Sequence, residues 1–148
     1  MFQGETAVTI DDKGRLAIPV AFRDAVVRDC GNRLVLTYNP FDQGSLYLYP
    51  EAAWQAVRDQ VVALSAFVPE HRVLQRMLVG AATPLEPDSA GRVLLPASMR
   101  ATAGLEKRAV LMGMGGRLEL WSEQAHLAQM RQTIGSAGVS AAMQDLRL

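Results

Sequence analysis

The chain has 148 residues, 49% of them hydrophobic and 20% charged, which suits one ordinary domain or two small ones and excludes a disordered polymer. Formal net charge is zero, so any attraction to nucleic acid has to come from local patches rather than from the whole molecule. The single cysteine, Cys30, excludes an internal disulfide and a cysteine metal cluster, and reads as a small buried apolar residue.

In chain order, TAVTI (6–10) is rich in Thr and β-branched residues and reads as a strand. DDKG (11–14) is a turn, with Asp favoured at its first position and Gly at its last. RLAI is a second strand, and Pro19 opens a helix, PVAFRDAVV, at a position where a missing N–H costs no hydrogen bond. RLVLTY (33–38) and SLYLY (45–49) form a hairpin around the turn-rich loop NPFDQG. A helix over 51–64 follows, with Trp54, Val57, Val61 and Leu64 on one apolar face. A middle helix opens at Pro69, with Val73, Leu74, Met77 and Leu78 as its stripe.

The pattern then restarts. DSAGRVLLP (88–96) matches DDKGRLAIP (11–19): Asp88 answers Asp11, Gly91 answers Gly14, Arg92 answers Arg15, and Pro96 answers Pro19. Arg100 answers Arg23, and upstream Thr83 and Leu85 answer Thr6 and Val8. A second hairpin, AVLMG and RLELW joined by MGG, is followed by LELWSEQAH (118–126), the match of LYLYPEAAW (46–54). The copies differ in length only in the hairpin loop, where a change costs little. The tail, IGSAGVSAAMQDLRL, is weakly patterned and is expected to be partly mobile. One copy is only about fifty residues, small for an independent core, so the two are expected to share one, by packing or by exchange of hairpins.

Enzyme motifs are missing. His71 and His126 lie far apart without ligand spacing, and His71, among charged helical residues, reads as a solvated surface histidine. The glycines of GMGG (113–116) lie between two hairpin strands and read as a turn rather than a phosphate loop. No catalytic residue, metal or cofactor is expected. The opening MFQGETAV lacks a basic segment followed by an apolar core, so no signal peptide is expected. No apolar run of about 18 residues is present to span a membrane, and a soluble cytoplasmic protein is expected.

Arg15 and Arg92 each follow a turn glycine directly. One reading is structural: Asp11 pairs with Arg15, and Asp88 with Arg92, for about 0.2–1 kcal/mol each. The other is functional: the Asp shapes the turn while the Arg presents a planar fork of donors to phosphate or to a guanine edge. Spacing alone leaves both open. Lys13 sits at the first turn tip, where the second copy has Ala90. Arg23 and Arg28 in the first copy, and Arg100, Lys107 and Arg108 in the second, complete two small basic clusters diluted by acids. One such cluster binds DNA weakly, whereas many on an assembled surface bind well.

MFQGE, DDKGRLAIP, LYLYP, RVLQRMLVGAA, DSAGRVLLP and LELWSEQ together resemble the MraZ family of bacterial transcriptional regulators, over residues 1 to 126. The resemblance implies an α+β, mainly β fold of two swapped-hairpin, AbrB-like half-domains related by a pseudo-twofold and sharing a barrel-like core. The half-domains fall at 5–52 and 81–124, with a helical linker at 53–80 and a C-terminal helix and tail at 125–148. It also implies a ring-shaped homo-oligomer that binds double-stranded DNA at repeated boxes in its own promoter. Such a protein is nucleoid-associated and chiefly represses its own operon, a division and cell-wall cluster. By position, Lys13, Gly14, Arg15, Gly91 and Arg92 would face DNA, Arg23 and Arg100 join them by extension of the repeat, and Asp11 and Asp88 shape the turns. Ala90 departs from the basic pattern of the first copy. The alternative from another class is a ring-forming scaffold for a protein partner, with Asp11–Arg15 as an intersubunit ion pair.

Overall fold

Proline places the helices. In the computed structural model, which describes residues 1–148, α1 (Val20–Cys30), α2 (Glu51–Val62) and α4 (Ala97–Thr102) each start directly after a proline, with Pro19, Pro50 and Pro96 at the cap. The ring fixes φ near the helical value while ψ of 148°, 138° and 137° keeps each proline extended, so α1 begins one residue later than expected. α1 ends at Gly31 in the left-handed conformation, φ 59°.

The strands are β1 (Phe2–Thr9), β2 (Arg15–Ala17), β3 (Leu34–Tyr38), β4 (Ser45–Pro50), β5 (Thr83–Leu85), β6 (Arg92–Leu94), β7 (Arg108–Gly115) and β8 (Leu118–Ser122). Six form one antiparallel sheet in the order β1-β7-β8-β4-β3-β5, and β2 and β6 form a separate two-stranded ribbon. The class is α+β with a mostly antiparallel sheet. The first strand of each copy pairs with the hairpin of the other: β1 with β7, and β5 with β3.

The registers obey a pseudo-twofold. Thr6 lies opposite Leu111 and Val8 opposite Ala109, while their counterparts Thr83 and Leu85 lie opposite Leu36 and Leu34. In the β4–β8 pair, Leu46 faces Leu120 and Leu48 faces Leu118, centred on Tyr47 and Glu119. In the ribbon, Leu16 faces Val93. One continuous core results, drawn from both copies. Leu36, Leu46, Leu48, Leu111, Leu118 and Leu120 are all at most 1% exposed, each contributing about 1.5–3 kcal/mol of burial.

A second, smaller core lies on the other sheet face, where Trp54, Val61 and Leu78 cover Val35 and Tyr47. Trp54 and Val61 come from α2, as the apolar stripe requires. The middle helix, α3 (Pro69–Leu74), continues as a π-helical turn over Gln75–Gly80 rather than as regular α-helix. The buried Thr37 hydroxyl lies 2.9 Å from the Met77 carbonyl and 2.7 Å from that of Leu78, so its one proton is shared between two carbonyls of this turn.

Three further expectations change. β1 starts at Phe2 rather than Thr6, because β7 runs on to Gly115 and supplies ladder partners as far as the Phe2–Gly115 pair. Most of MGG is therefore strand, and the second hairpin closes over Gly116 and Arg117 alone. Gly113 is required there, since a Cβ would lie 2.4 Å from the Gln3 nitrogen. Cys30 is half-buried rather than buried. After α5 (Glu123–Met130) the tail forms a short 3-10 turn (Ser136–Gly138) and α6 (Ala141–Gln144), with every side chain exposed. No helix is long and apolar enough to cross a membrane.

Candidate nucleic-acid interface

Each DxxGR turn is built around its aspartate. The Asp11 carboxylate accepts from the Lys13 and Arg15 backbone N–H groups, both at 2.9 Å, and from Arg15 Nε at 2.9 Å. The Gly14 N–H closes the turn onto the Asp11 carbonyl at 2.9 Å. The second turn repeats this: Asp88 accepts from Ala90 and Arg92 N–H at 2.9 Å and from Arg92 Nε at 3.2 Å, and Gly91 N–H reaches the Asp88 carbonyl at 2.8 Å. The glycines adopt φ +82° and +74°, which a side chain disfavours. The backbone N–H of Arg15, foremost, holds the Asp11 carboxyl below its ordinary range, and that of Arg92 does the same for Asp88.

The arginines leave these turns on one face of the β2–β6 ribbon. Alternation buries Leu16 and Val93 beneath it and turns Arg15, Ala17, Arg92 and Leu94 to the other side. Antiparallel register sets Arg15 opposite Leu94 and Arg92 opposite Ala17, so the guanidinium groups occupy corners related by the pseudo-twofold. Their side chains are 40% and 47% exposed. Both ion pairs close inside one chain and engage only Nε. Four of the five donors of each fork are left without a protein partner. The structural reading of the motif therefore holds for one N–H of each fork and leaves the other four donors unpaired within the chain.

A family model described as "MraZ protein, putative antitoxin-like" matches the chain twice, over residues 1–77 and again over 78–146. The chain belongs to the MraZ family. A protein of Stenotrophomonas maltophilia named "Transcriptional regulator MraZ" is 53% identical over 148 residues, spanning the whole of both chains. Proteins of the same name from Xanthomonas campestris and Nitrosospira multiformis are 54% identical over the whole of both chains and 41% identical over 90% of each.

Within this MraZ fold the expected residues separate into two groups. Lys13, Arg15 and Arg92 are brought to the accessible side of the turns and ribbon, with Lys13 exposed at its tip. Gly14 and Gly91 are buried, and both of their backbone groups are used internally: Leu95 N–H donates to the Gly14 carbonyl at 2.9 Å and Ile18 N–H to that of Gly91 at 2.8 Å. Each glycine thus has its N–H and its carbonyl paired within the protein. Arg23 and Arg100 are half-buried and bond to their own backbone, Arg23 through Nε and Nη2 to the Ile18 carbonyl at 3.2 and 2.9 Å, Arg100 through Nε to the Leu95 carbonyl at 3.2 Å. Arg28 is tied to Asp29 at 3.0 Å.

Lys107 and Arg108 move to the other copy. The Lys107 carbonyl accepts from Ile10 N–H at 2.8 Å and Arg108 pairs with Thr9, so both adjoin the strand that leads into Asp11. Chain order placed them with the second motif, and only the exchange of strands reveals the first as their neighbour. His71 is half-buried rather than solvated, with Nδ1 3.0 Å from the Ser65 carbonyl. His126 Nε2 lies 2.6 Å from Glu5. Burial raises the Cys30 thiol, which keeps it protonated at neutral pH and a poor nucleophile. No group of three His, Cys, Asp or Glu side chains is placed to hold a metal ion.

Proposed function

We propose that this chain is a sequence-specific DNA-binding transcriptional regulator, without catalysis or cofactor, that recognises double-stranded DNA through its β2–β6 ribbon. The observation that carries the reading is the pair of ribbon arginines, with side chains 40% and 47% exposed, each aimed by an aspartate and keeping four donors free. A two-stranded ribbon fits a major groove, and the arginine fork matches guanine O6/N7 or a phosphate. Arg15 is the principal contact, Lys13 adds phosphate attraction, and Arg92 is the weaker partner beside Ala90. Lys107 and Arg108 strengthen the field around the first turn. The relatives named as transcriptional regulators support the same reading.

The two half-domains, 5–52 and 81–124, build one core of the swapped-hairpin, AbrB type. A single ribbon carries only a small basic cluster, so affinity comes from repetition: a ring of chains binds direct repeats upstream of its own gene and represses its operon. The working location is the cytoplasmic nucleoid. The test is Arg15→Ala in a gel shift with duplex from that upstream region, read beside light scattering. Loss of binding with assembly intact, at about 1–3 kcal/mol per engaged contact, is the expected outcome. Unchanged binding by an intact assembly removes Arg15 from the interface.

A further inference from the structure

We propose that Arg23 and Arg100 are positioning residues, each clamping the DNA-facing turn of the opposite copy. The functional half of this proposal rests on the DNA-binding reading above. The geometry is crosswise. A Cβ on Gly91 would lie 2.5 Å from Arg23 Nε and 2.9 Å from its Cζ, so the guanidinium of the first copy rests against the turn glycine of the second. A Cβ on Gly14 would lie 2.7 Å from both Nε and Cζ of Arg100, so the second copy covers the turn of the first. The glycines are thus needed twice, for positive φ and for the close approach of an arginine from across the pseudo-twofold.

The rest of each clamp is a pair of linked hydrogen bonds that ties the arginine to the same glycine through one residue of its own copy. Arg23 donates to the Ile18 carbonyl, and Ile18 N–H donates to the Gly91 carbonyl at 2.8 Å. Arg100 donates to the Leu95 carbonyl, and Leu95 N–H donates to the Gly14 carbonyl at 2.9 Å. Neither arginine has a carboxylate partner, although both are half-buried. The task needs a flat group that can bond a carbonyl along its edge while its face lies on a Cα. Arginine provides this, and the compact ammonium of lysine does not. Holding Gly91 fixes the spacing from Asp88 to Arg92, and holding Gly14 fixes that from Asp11 to Arg15. Each recognition arginine therefore depends on a residue of the other half of the chain.

Arg23→Lys and Arg100→Lys test this in the full-length protein, because they keep the charge but lose the planar edge. In the DNA-free protein, Arg23→Lys is expected to speed amide exchange, measured by NMR, at Ala90, Gly91 and Arg92 and to leave Lys13, Gly14 and Arg15 unchanged. Arg100→Lys is expected to do the reverse. With duplex from upstream of the gene, Arg23→Lys should weaken binding about tenfold with the salt slope intact, and should add nothing in an Arg92→Ala background. An own-copy turn that loosens instead, or exchange that does not change, overturns the clamp. The Ala variants separate a direct phosphate contact: a salt slope smaller by about 0.9, additive with Arg92→Ala and rescued by lysine, makes Arg23 a contact and overturns the proposal. If the native protein does not bind the duplex, the regulator reading fails while the exchange arm still decides the clamp.

Discussion

The first copy covers the outer face of its hairpin with its own helices, whereas the second covers much less of it. Over β3 and β4, Trp54 and Val61 of α2 and Leu78 of the π turn seal Val35 and Tyr47. The matching helix of the second copy, α5, buries no residue, and Met114, Leu127 and Met130 stay exposed. Where the first copy has Tyr47, the second has Glu119, 5% exposed, bound by Arg117 at 2.6 Å and by Trp121 Nε1 at 3.0 Å. Arg117 also sits 4.2 Å over the Tyr47 ring, so the two solutions meet at the pseudo-twofold. Burial raises the Tyr47 hydroxyl to about 12, so that ring stays neutral beneath the cation. The inner leucines repeat because both copies need one shared core. The outer faces diverge because different segments follow each hairpin.

Breaking the shared core has the largest expected effect. Leu48→Ala and Leu120→Ala occupy related positions and should each cost about 2–5 kcal/mol. In both variants Trp54 and Trp121 should report one unfolding transition on denaturant titration. Two separate midpoints would show that the copies have independent cores. Next comes the extended ladder, which only the second hairpin has. Gly113→Ala pushes a methyl into β1 and should cost about 1–3 kcal/mol, whereas Gly116→Ala, with open space around it, should stay within about 0.5 kcal/mol. Equal thermal shifts for the two would break the comparison.

The turns differ most at their tips. Ala90→Lys gives the second turn the charge of the first, and should steepen the salt dependence of DNA binding by about 0.9 for each chain engaged. An unchanged slope means the second turn stands off the DNA. The smallest effect is on pH. Both Asp11 and Asp88 have lowered pKa values, so their contribution is complete above 3.8 and is lost as pH falls through the depressed values. The Lys13 and Ala90 amide signals should therefore be flat from about pH 5 to 8 and move together in acid. A step near neutral pH would point to another group in the turns.

The turn, the ribbon strands and the proline-started helices were legible because their causes lie within a few residues. Asp11 and Pro19 act on neighbours no more than four positions away, and the Gly14 N–H closes its turn onto the Asp11 carbonyl. Arg15 stands out in the sequence as the residue left over after folding, and its side chain is 40% exposed in the structure. Arg23 and Arg100 carried no local sign of their role, because each meets a glycine in the other copy. The added length of β1 was hidden for the same reason, since TAVTI looks strand-like and FQGE does not until β7 lies beside it. The contact of the π turn with Thr37 was hidden too, since Thr37 is forty residues from Met77.

By itself the sequence determined the repeat, the two turns and the apolar alternation that demands a common core. These follow from φ preferences, side-chain hydrogen bonds and periodicity, all short-range. Tertiary structure alone decided which copy each strand completes, which arginines stand on the open side of the ribbon and which pack against a glycine of the other copy. Those outcomes depend on pairing across the pseudo-twofold, where the free energy lies in contacts between residues far apart in the chain. Two arginines of the repeat, Arg15 and Arg23, begin alike on paper; one places a single donor on its turn aspartate, and the other places two on its own Ile18 carbonyl and rests against a glycine of the opposite copy.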